Sequence, residues 1–212
     1  MMRRATLTGI SVAVLIVATS AAWVAGGGTG DNAGPDRPGV RLASILWPEP
    51  IPVAEFELRD QYGRPFDRGA LAGRWNLVFF GYLDCPDICP MSLSAMQRMR
   101  ALLEQRGAAD DVQFVFVSVD GARDDAERMR AYLAAFDESF VGLTGEPAMI
   151  ERLAGSMAVH YTPAAGDGTI RHTSSLMIVG PRARTVGAFQ PPLVPERMAA
   201  GFGALRRQSG RY

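Results

Sequence analysis

The order of apolar and polar residues predicts a chain of alternating strands and helices. Residues 112–119 are almost entirely β-branched or aromatic, which is typical of a strand covered on both faces. Residues 76–80 form a similar run, and residues 91–106 repeat apolar side chains at helical spacing. Further helices are predicted at 124–136, 147–157 and 194–207, and further strands at 140–143, 176–179 and 186–189. This alternation predicts an α/β sheet with helices on both faces.

A β-hairpin is predicted ahead of the first central strand. Apolar residues at 53, 56 and 58 lead into the turn sequence Asp-Gln-Tyr-Gly-Arg-Pro at residues 60–65, and Phe66 follows it. The domain therefore begins with two added strands, and we assign it to residues 51–212.

Residues 1–30 are predicted to be a membrane anchor or a signal segment. Arg3 and Arg4 precede an uncharged stretch at 5–26, which at ~1.5 Å per residue is about 33 Å long as a helix, enough to span a bilayer. The positive charges orient the N-terminus to the cytoplasm and the domain to the periplasm or another extracytoplasmic space. The alternative is a cleaved signal peptide, with small residues at 20–22 as the cleavage site. Residues 31–50, rich in Gly, Pro and Asp, are predicted to be a tether, although residues 40–47 could pack on the domain.

Composition supports a full hydrophobic core and excludes one class of partner. Hydrophobic residues make up 48% of the chain, and the formal net charge is +0 without any long block of Lys or Arg. A surface that tracks phosphates needs such a block, so we do not expect nucleic acid binding.

The chain has two cysteines, Cys85 and Cys89, and both lie between the predicted strand 76–80 and the helix after it. The start of a helix lowers the pKa of a thiol, because the backbone dipole and free amides stabilise the thiolate. A cysteine pair after the first central strand indicates the thioredoxin-like class. Redox thioredoxins have two residues between the cysteines, whereas this chain has three. Helical side chains four residues apart lie on one face, where they can bind one metal ion.

Four blocks of sequence resemble the Sco/SenC family over about residues 50–205. They are Gly-Tyr-Leu-Asp-Cys-Pro-Asp-Ile-Cys-Pro at 81–90, Val-Ser-Val-Asp at 117–120 with Arg-Asp at 123–124, Val-Gly-Leu-Thr-Gly at 141–145, and His172 before an apolar strand. The resemblance implies a membrane-tethered, thioredoxin-like protein that binds copper, as Cu(I) or Cu(II), through two cysteines and one histidine. It also implies a role in assembling the copper A centre of cytochrome c oxidase, with the copper A subunit and a copper donor protein as partners. Two positions depart from the family's usual residues: Gly121 stands where Pro is common, and Leu83 where Thr is usual. Neither position is that of a ligand.

The chemistry of the residues agrees with that ligand set. Two thiolates and an imidazole suit Cu(I), and with a weak axial ligand they suit Cu(II). Structural zinc would need a fourth ligand, and no third cysteine exists. His172 lies between a Gly-containing loop and the strand 176–179, a junction that a thioredoxin-like sheet places beside the cysteine turn. His160 ends the helix 147–157 and is better explained as a cap of that helix. The predicted copper ligands are therefore Cys85, Cys89 and His172.

Other residues near the motif have simpler explanations. Asp84 and Asp87 suit the start of a helix for dipole reasons, although either could be an outer partner of the metal. Asp120 could orient a loop or cap the next helix, and we predict that it caps the helix. Three methionines are considered as thioether ligands: Met96 and Met99 are predicted to be core residues, and Met91 stays a candidate. Tyr62, Tyr82 and Phe189 are candidate lining residues of the site.

Three alternatives to copper binding are open. In a thiol-disulfide oxidoreductase, Cys85 would be the nucleophile and Cys89 the resolving cysteine. Such enzymes carry a Pro before the strand that faces the cysteines, and residues 171–179 contain none. A peroxiredoxin-type peroxidase would need Thr or Ser at position 82, which is Tyr. A purely structural disulfide would close so small a loop that it would stabilise little. Copper binding and disulfide formation are compatible roles, because copper binds only the reduced cysteines.

Overall fold

The computed structural model describes residues 46–208 except 163, 165 and 167. The predicted anchor at 1–30 and most of the predicted tether lie outside the described residues. In the part of the chain that is described, no helix combines the length and hydropathy of a membrane span.

Within the described residues, eight strands and four α-helices alternate much as the sequence predicts. The strands are β1 (Leu46–Pro52), β2 (Glu57–Asp60), β3 (Pro65–Asp67), β4 (Trp75–Gly81), β5 (Val112–Ser118), β6 (Val141–Thr144), β7 (Leu176–Gly180) and β8 (Arg184–Phe189). The helices are α1 (Ile88–Glu104), α2 (Ala126–Ala134), α3 (Pro147–Ser156) and α4 (Pro195–Arg206).

All eight strands form one sheet in the order β1-β8-β7-β4-β5-β6-β2-β3. The central strands β4, β5 and β6 are parallel, and β7 pairs antiparallel with β4. The predicted hairpin is confirmed as β2 and β3 at the far edge. The predicted tether is wrong at its C-terminal end, because residues 46–50 belong to β1 and pair with β8.

Three helices cover one face of the sheet. In β4, Trp75 and Gly81 point to the same face, because side chains alternate along a strand. Contacts on that face reach each of the three helices: Trp75 with Phe202 of α4, Phe116 with Tyr132 of α2, and Gly81 with Cys89 of α1. The opposite face is covered too, since Val78 and Phe80 are equally buried. Both faces of β4 and β5 are thus buried, which explains their continuous apolar sequences.

The carboxyl ends of β4, β5 and β6 lie side by side at one edge of the fold. The loops that leave them carry Cys85, Asp124 and Gly145 respectively. The register of β4 with β7, which pairs Val78 with Met177, brings the start of β7 to the same edge. Residues far apart in the chain therefore meet there.

Candidate metal centre

The turn between β4 and α1 places the two cysteines differently. Cys85 lies in the turn, where its amide donates to the Tyr82 carbonyl at 3.3 Å, and its exposed fraction is 8%. α1 begins at Ile88, three residues earlier than predicted, so Cys89 is its second residue and is 0% exposed. Both cysteines are buried, and Cys85 is the less deeply buried of the two.

Gly81 lets Cys89 pack directly onto the end of β4. A Cβ atom at this position would lie 2.7 Å from Cys89 Sγ and 2.9 Å from Phe116 Cε2. Both distances are below van der Waals contact, so any larger residue would displace the thiol. The glycine is required by a close approach and not by its backbone conformation.

His172 reaches the cysteines from the strand-like segment before β7. His172 pairs with Tyr161 in an antiparallel bridge. Two backbone hydrogen bonds flank the bridge, from the Thr162 amide to the Arg171 carbonyl and from the Thr173 amide to the His160 carbonyl, both 2.9 Å long. His172 Nδ1 lies 3.1 Å from the Thr173 carbonyl. A proton on Nδ1 would be donated there, which leaves Nε2 as the free ligand atom, 3.6 Å from Cys89 Sγ.

Two aromatic rings fix the orientation of the imidazole. Phe79 and Tyr82 both meet it edge to face, with ring centroids 5.9 Å and 6.1 Å away. Tyr82 is thus confirmed as a lining residue. The rings keep Nε2 directed toward the cysteines without taking part in ligation.

The two thiol sulfurs and a His172 ring nitrogen lie within 4.8 Å of one another. Among the described residues this is the one group of three Cys, His or acidic side chains close enough to hold an ion. Bonds of about 2.0–2.3 Å to one ion put two ligand atoms at most about 4.6 Å apart. A small adjustment would therefore let all three atoms share a metal ion.

Burial favours the neutral forms of Cys89 and His172. Burial raises the pKa of the Cys89 thiol, and a hydrogen bond shared with Cys85 raises it further. The expectation that the helix start lowers the thiol pKa is wrong for Cys89, because desolvation outweighs the dipole. Burial also lowers the pKa of His172, against the opposing effect of the Thr173 carbonyl. A metal ion that binds here must displace the proton of the Cys89 thiol, so binding releases a proton.

Two sequence-based assignments near the site are wrong. His160 does not cap α3, because the helix ends at Ser156; instead its backbone bonds to Thr173. Asp120 does not cap α2, because Asp125 does so by accepting the Arg128 amide. Asp120 pairs with Arg123 at 2.5 Å.

The remaining candidates do not belong to the group of three ligand atoms. Asp84 forms an ion pair with Arg128 at 2.7 Å, and Asp87 precedes α1 without a side-chain capping bond. Met96 and Met99 are buried core residues as predicted, whereas Met91 is 66% exposed. Phe189 is buried in β8, and Tyr62 is exposed in the β2–β3 turn, stacked with Arg64.

Sequence reasoning missed the supporting role of Asp124. The sequence identifies Asp124 only as a residue of the Arg-Asp motif at 123–124 and as the start of a predicted helix. The structure places it outside the helix, buried and bonded to the cysteine turn. No local signal could have found it, because Asp124 lies six residues after Ser118, the end of β5, and its partner Leu83 is 41 positions away.

The chain matches known proteins over most of the described region. The family model SCO1/SenC matches residues 49–205. A putative copper-binding protein of Stutzerimonas stutzeri is 35% identical over 152 residues, which cover 70% of this chain and 74% of that protein. The copper-bound structure of ScoI from Bradyrhizobium japonicum has a TM-score of 0.64 at 34% identity, covering 74% of this chain and 98% of the other. Copper-bound ScoI from Arabidopsis thaliana has a TM-score of 0.68 at 29% identity, covering 73% and 98%.

Fold and site together define a thioredoxin-like α/β domain with a Cys-x-x-x-Cys turn and a facing histidine. The chain belongs to the SCO1/SenC family. The resemblance read from the sequence blocks is thereby confirmed.

Proposed function

We propose that this chain binds one copper ion through Cys85, Cys89 and His172. The observation that carries the proposal is the meeting of three soft or borderline ligand atoms within 4.8 Å in a largely buried site. Such a set suits copper, and a fourth protein ligand that structural zinc would require is lacking in the group. The copper-bound relatives support the same metal.

We further propose that the bound copper serves assembly of the copper A centre of cytochrome c oxidase. This rests on family membership and on the position of Cys85, which is the less deeply buried of the two cysteines and through which copper could pass to a partner's ligands. Residues 5–26 would anchor the chain in the cytoplasmic membrane with the domain in the periplasm or extracytoplasmic space. Because β1 begins at Leu46, the proposed tether is residues 27–45, and a Gly-rich linker of that length would span roughly 22–26 Å. That reach keeps the copper site near a membrane-embedded oxidase.

Thiol-disulfide exchange is the second candidate function. The sulfur atoms of Cys85 and Cys89 lie within 4.8 Å of each other, so the two thiols are close, as a resolving pair must be. Against exchange as the main role, the segment facing the thiols presents His172, an imidazole aimed at sulfur. Thiol-disulfide exchange would then reduce a partner's cysteines before they receive copper, or it would control copper loading of this site through the redox state of Cys85 and Cys89.

The test compares metal binding with disulfide reduction in the same reduced chain. We expect one copper per chain, loss of binding in Cys85→Ser and in Cys89→Ser, and little reduction of a disulfide substrate. Met91→Leu is the matched control, because it removes the exposed sulfur beside the motif and should leave binding unchanged. Full copper retention in Cys85→Ser would contradict the site, and rapid disulfide turnover without stable copper binding would favour the second candidate.

A further inference from the structure

Asp124 is a buried acidic residue between the end of β5 and the start of α2. It is 1% exposed, and acidic side chains are rarely buried this far without partners. Its Oδ2 atom accepts two hydrogen bonds, from the Leu83 amide at 3.0 Å and from the Ser118 hydroxyl at 2.7 Å. One carboxylate oxygen thus joins the cysteine turn to the end of β5.

The backbone of Asp124 is fixed independently of that carboxylate. Its amide donates to the Asp120 carbonyl at 2.9 Å, and its carbonyl accepts the Thr144 hydroxyl at 2.8 Å. These bonds secure Asp124 to the loop after β5 and to β6. The carboxylate is therefore a fixed point, and the turn that it holds is the part able to move.

Leu83 belongs to the turn that carries the outer cysteine. It lies two residues after the end of β4 and two residues before Cys85. Pairing of β4 with β5 ends at Gly81, so the Leu83 amide has no hydrogen-bond acceptor in the sheet. The Asp124 carboxylate accepts its hydrogen bond instead. A buried amide without a partner is costly, so loss of the carboxylate would drive the turn to rearrange.

Arg128 is a weaker support on the outer side of the turn. Its guanidinium contacts Asp84 at 2.7 Å and the Arg123 carbonyl at 2.7 Å. The side chains of Arg128 and Asp84 are 44% and 55% exposed, and ion pairs that exposed are screened by water. The buried hydrogen bond that Asp124 accepts from the Leu83 amide is accordingly the main restraint.

The other two proposed ligands are held by different elements. Cys89 is fixed by α1 and its contact with β4 at Gly81, and His172 by the pairing with Tyr161. We propose that Asp124 is a positioning residue that sets the place of Cys85 relative to Cys89 and His172, through the Leu83 amide. The metal-binding part of this inference rests on the proposed function.

The test uses the full reduced chain and three variants. Asp124→Ala removes the acceptor, and we expect at least a tenfold loss of Cu(II) affinity with a shifted thiolate-to-copper charge-transfer band. Asp124→Asn keeps an oxygen that can accept both bonds, so it should remain within threefold of wild type with an unshifted band. Ser118→Ala is the matched control: it removes the other bond to the same oxygen and should destabilise the fold while the band stays in place. Asp124→Ser, too short to reach Leu83, replaces Asp124→Ala if the alanine variant does not fold.

A metal-free measurement separates this inference from the proposed function. In the reduced chain without copper, alkylation of Cys85, followed by peptide mass, should be several-fold faster in Asp124→Ala than in wild type and unchanged in the other two variants. Wild-type alkylation rates in Asp124→Ala, or equal band shifts in Asp124→Ala and Ser118→Ala, would overturn the positioning role. Absence of copper binding in the wild-type chain would overturn the proposed function alone, and the alkylation rates would still decide the role of Asp124.

Discussion

The Sγ atom of Cys89 lies 3.6 Å from Nε2 of His172, although 83 positions separate the two residues in the chain. The contact follows from sheet topology. β4 leads into the cysteine turn and β7 follows His172, and the two strands are antiparallel neighbours. The end of one is therefore beside the start of the other, which brings thiol and imidazole together.

We expect His172→Ala to weaken Cu(II) binding much more than Cu(I) binding. Cu(II) depends more on imidazole nitrogen, whereas Cu(I) is satisfied by two sulfurs. His160→Ala is the control, because the one other histidine lies outside the group of ligand atoms. Titration with each redox state, with the charge-transfer band as the Cu(II) readout, checks the prediction. A larger effect of His160→Ala would transfer the ligand role.

Replacement of Gly81 by alanine should damage both stability and the site. The new methyl would meet Cys89 Sγ and Phe116 within 3 Å, and overpacking of this kind costs about 1–3 kcal/mol of unfolding free energy. Gly155→Ala in α3 is the matched control, because a Cβ there meets nothing within 4 Å; in a helix this change is neutral or stabilising by up to about 1 kcal/mol. Urea unfolding of both variants and Cu(II) spectra provide the measurement. Equal stability of the two variants would refute the tight approach of Cys89 to β4.

Asp60 should stabilise the β2–β3 hairpin in a pH-dependent manner. Burial alone would raise the pKa of Asp60, but bonds from the Arg64 and Tyr62 amides and from the Arg64 guanidinium outweigh it and lower the pKa below 3.8. A carboxyl whose pKa is lower in the folded state stabilises the fold above its unfolded pKa, and this contribution is lost as pH falls through the folded value. At pH 7, Asp60→Ala should lose about 1–3 kcal/mol, for the lost bonds.

The check for Asp60 is urea unfolding at pH 7 and near pH 3. The difference between wild type and Asp60→Ala should shrink at the lower pH. Exposed Asp110, changed to alanine, serves as the control and should show little difference at either pH. A difference that grows toward low pH would mean that the carboxylate is not the stabilising form.

In cells, loss of this chain should reduce copper A-dependent cytochrome c oxidase activity when copper is scarce. Added copper should partly restore the activity, since the proposed role is delivery. A secreted domain without residues 1–30 should complement less well than the full chain, because the tether raises the effective concentration of the two partners. Oxidase activity in membranes from the deletion strain, grown at low and high copper, is the measurement. Normal activity at low copper would argue against the delivery role.

Much of the site followed from the sequence because its signals are local. Three residues between the cysteines, an apolar strand before them and a helix after them predict a thiol pair at the carboxyl end of a buried strand. Alternation of strands and helices predicts the α/β class, since the period of apolar residues depends on each segment alone. The choice of His172 over His160 needed one further expectation, that the strand after His172 lies beside the strand that leads to the cysteines. The pairing of β7 with β4 confirms it.

Only the tertiary structure decided the burial and the supports of the site. Desolvation of Cys89 depends on the helices and strands that surround it, so the helix start alone predicted the wrong direction of its pKa. Asp124 bonds to Leu83 across 41 positions, a relationship that no local pattern records. The residue at which a helix begins also depends on its surroundings in the fold: Asp125, and not Asp120, caps α2. Local sequence determines which elements form, whereas electrostatics and support arise from long-range packing, because they depend on which groups exclude water from one another.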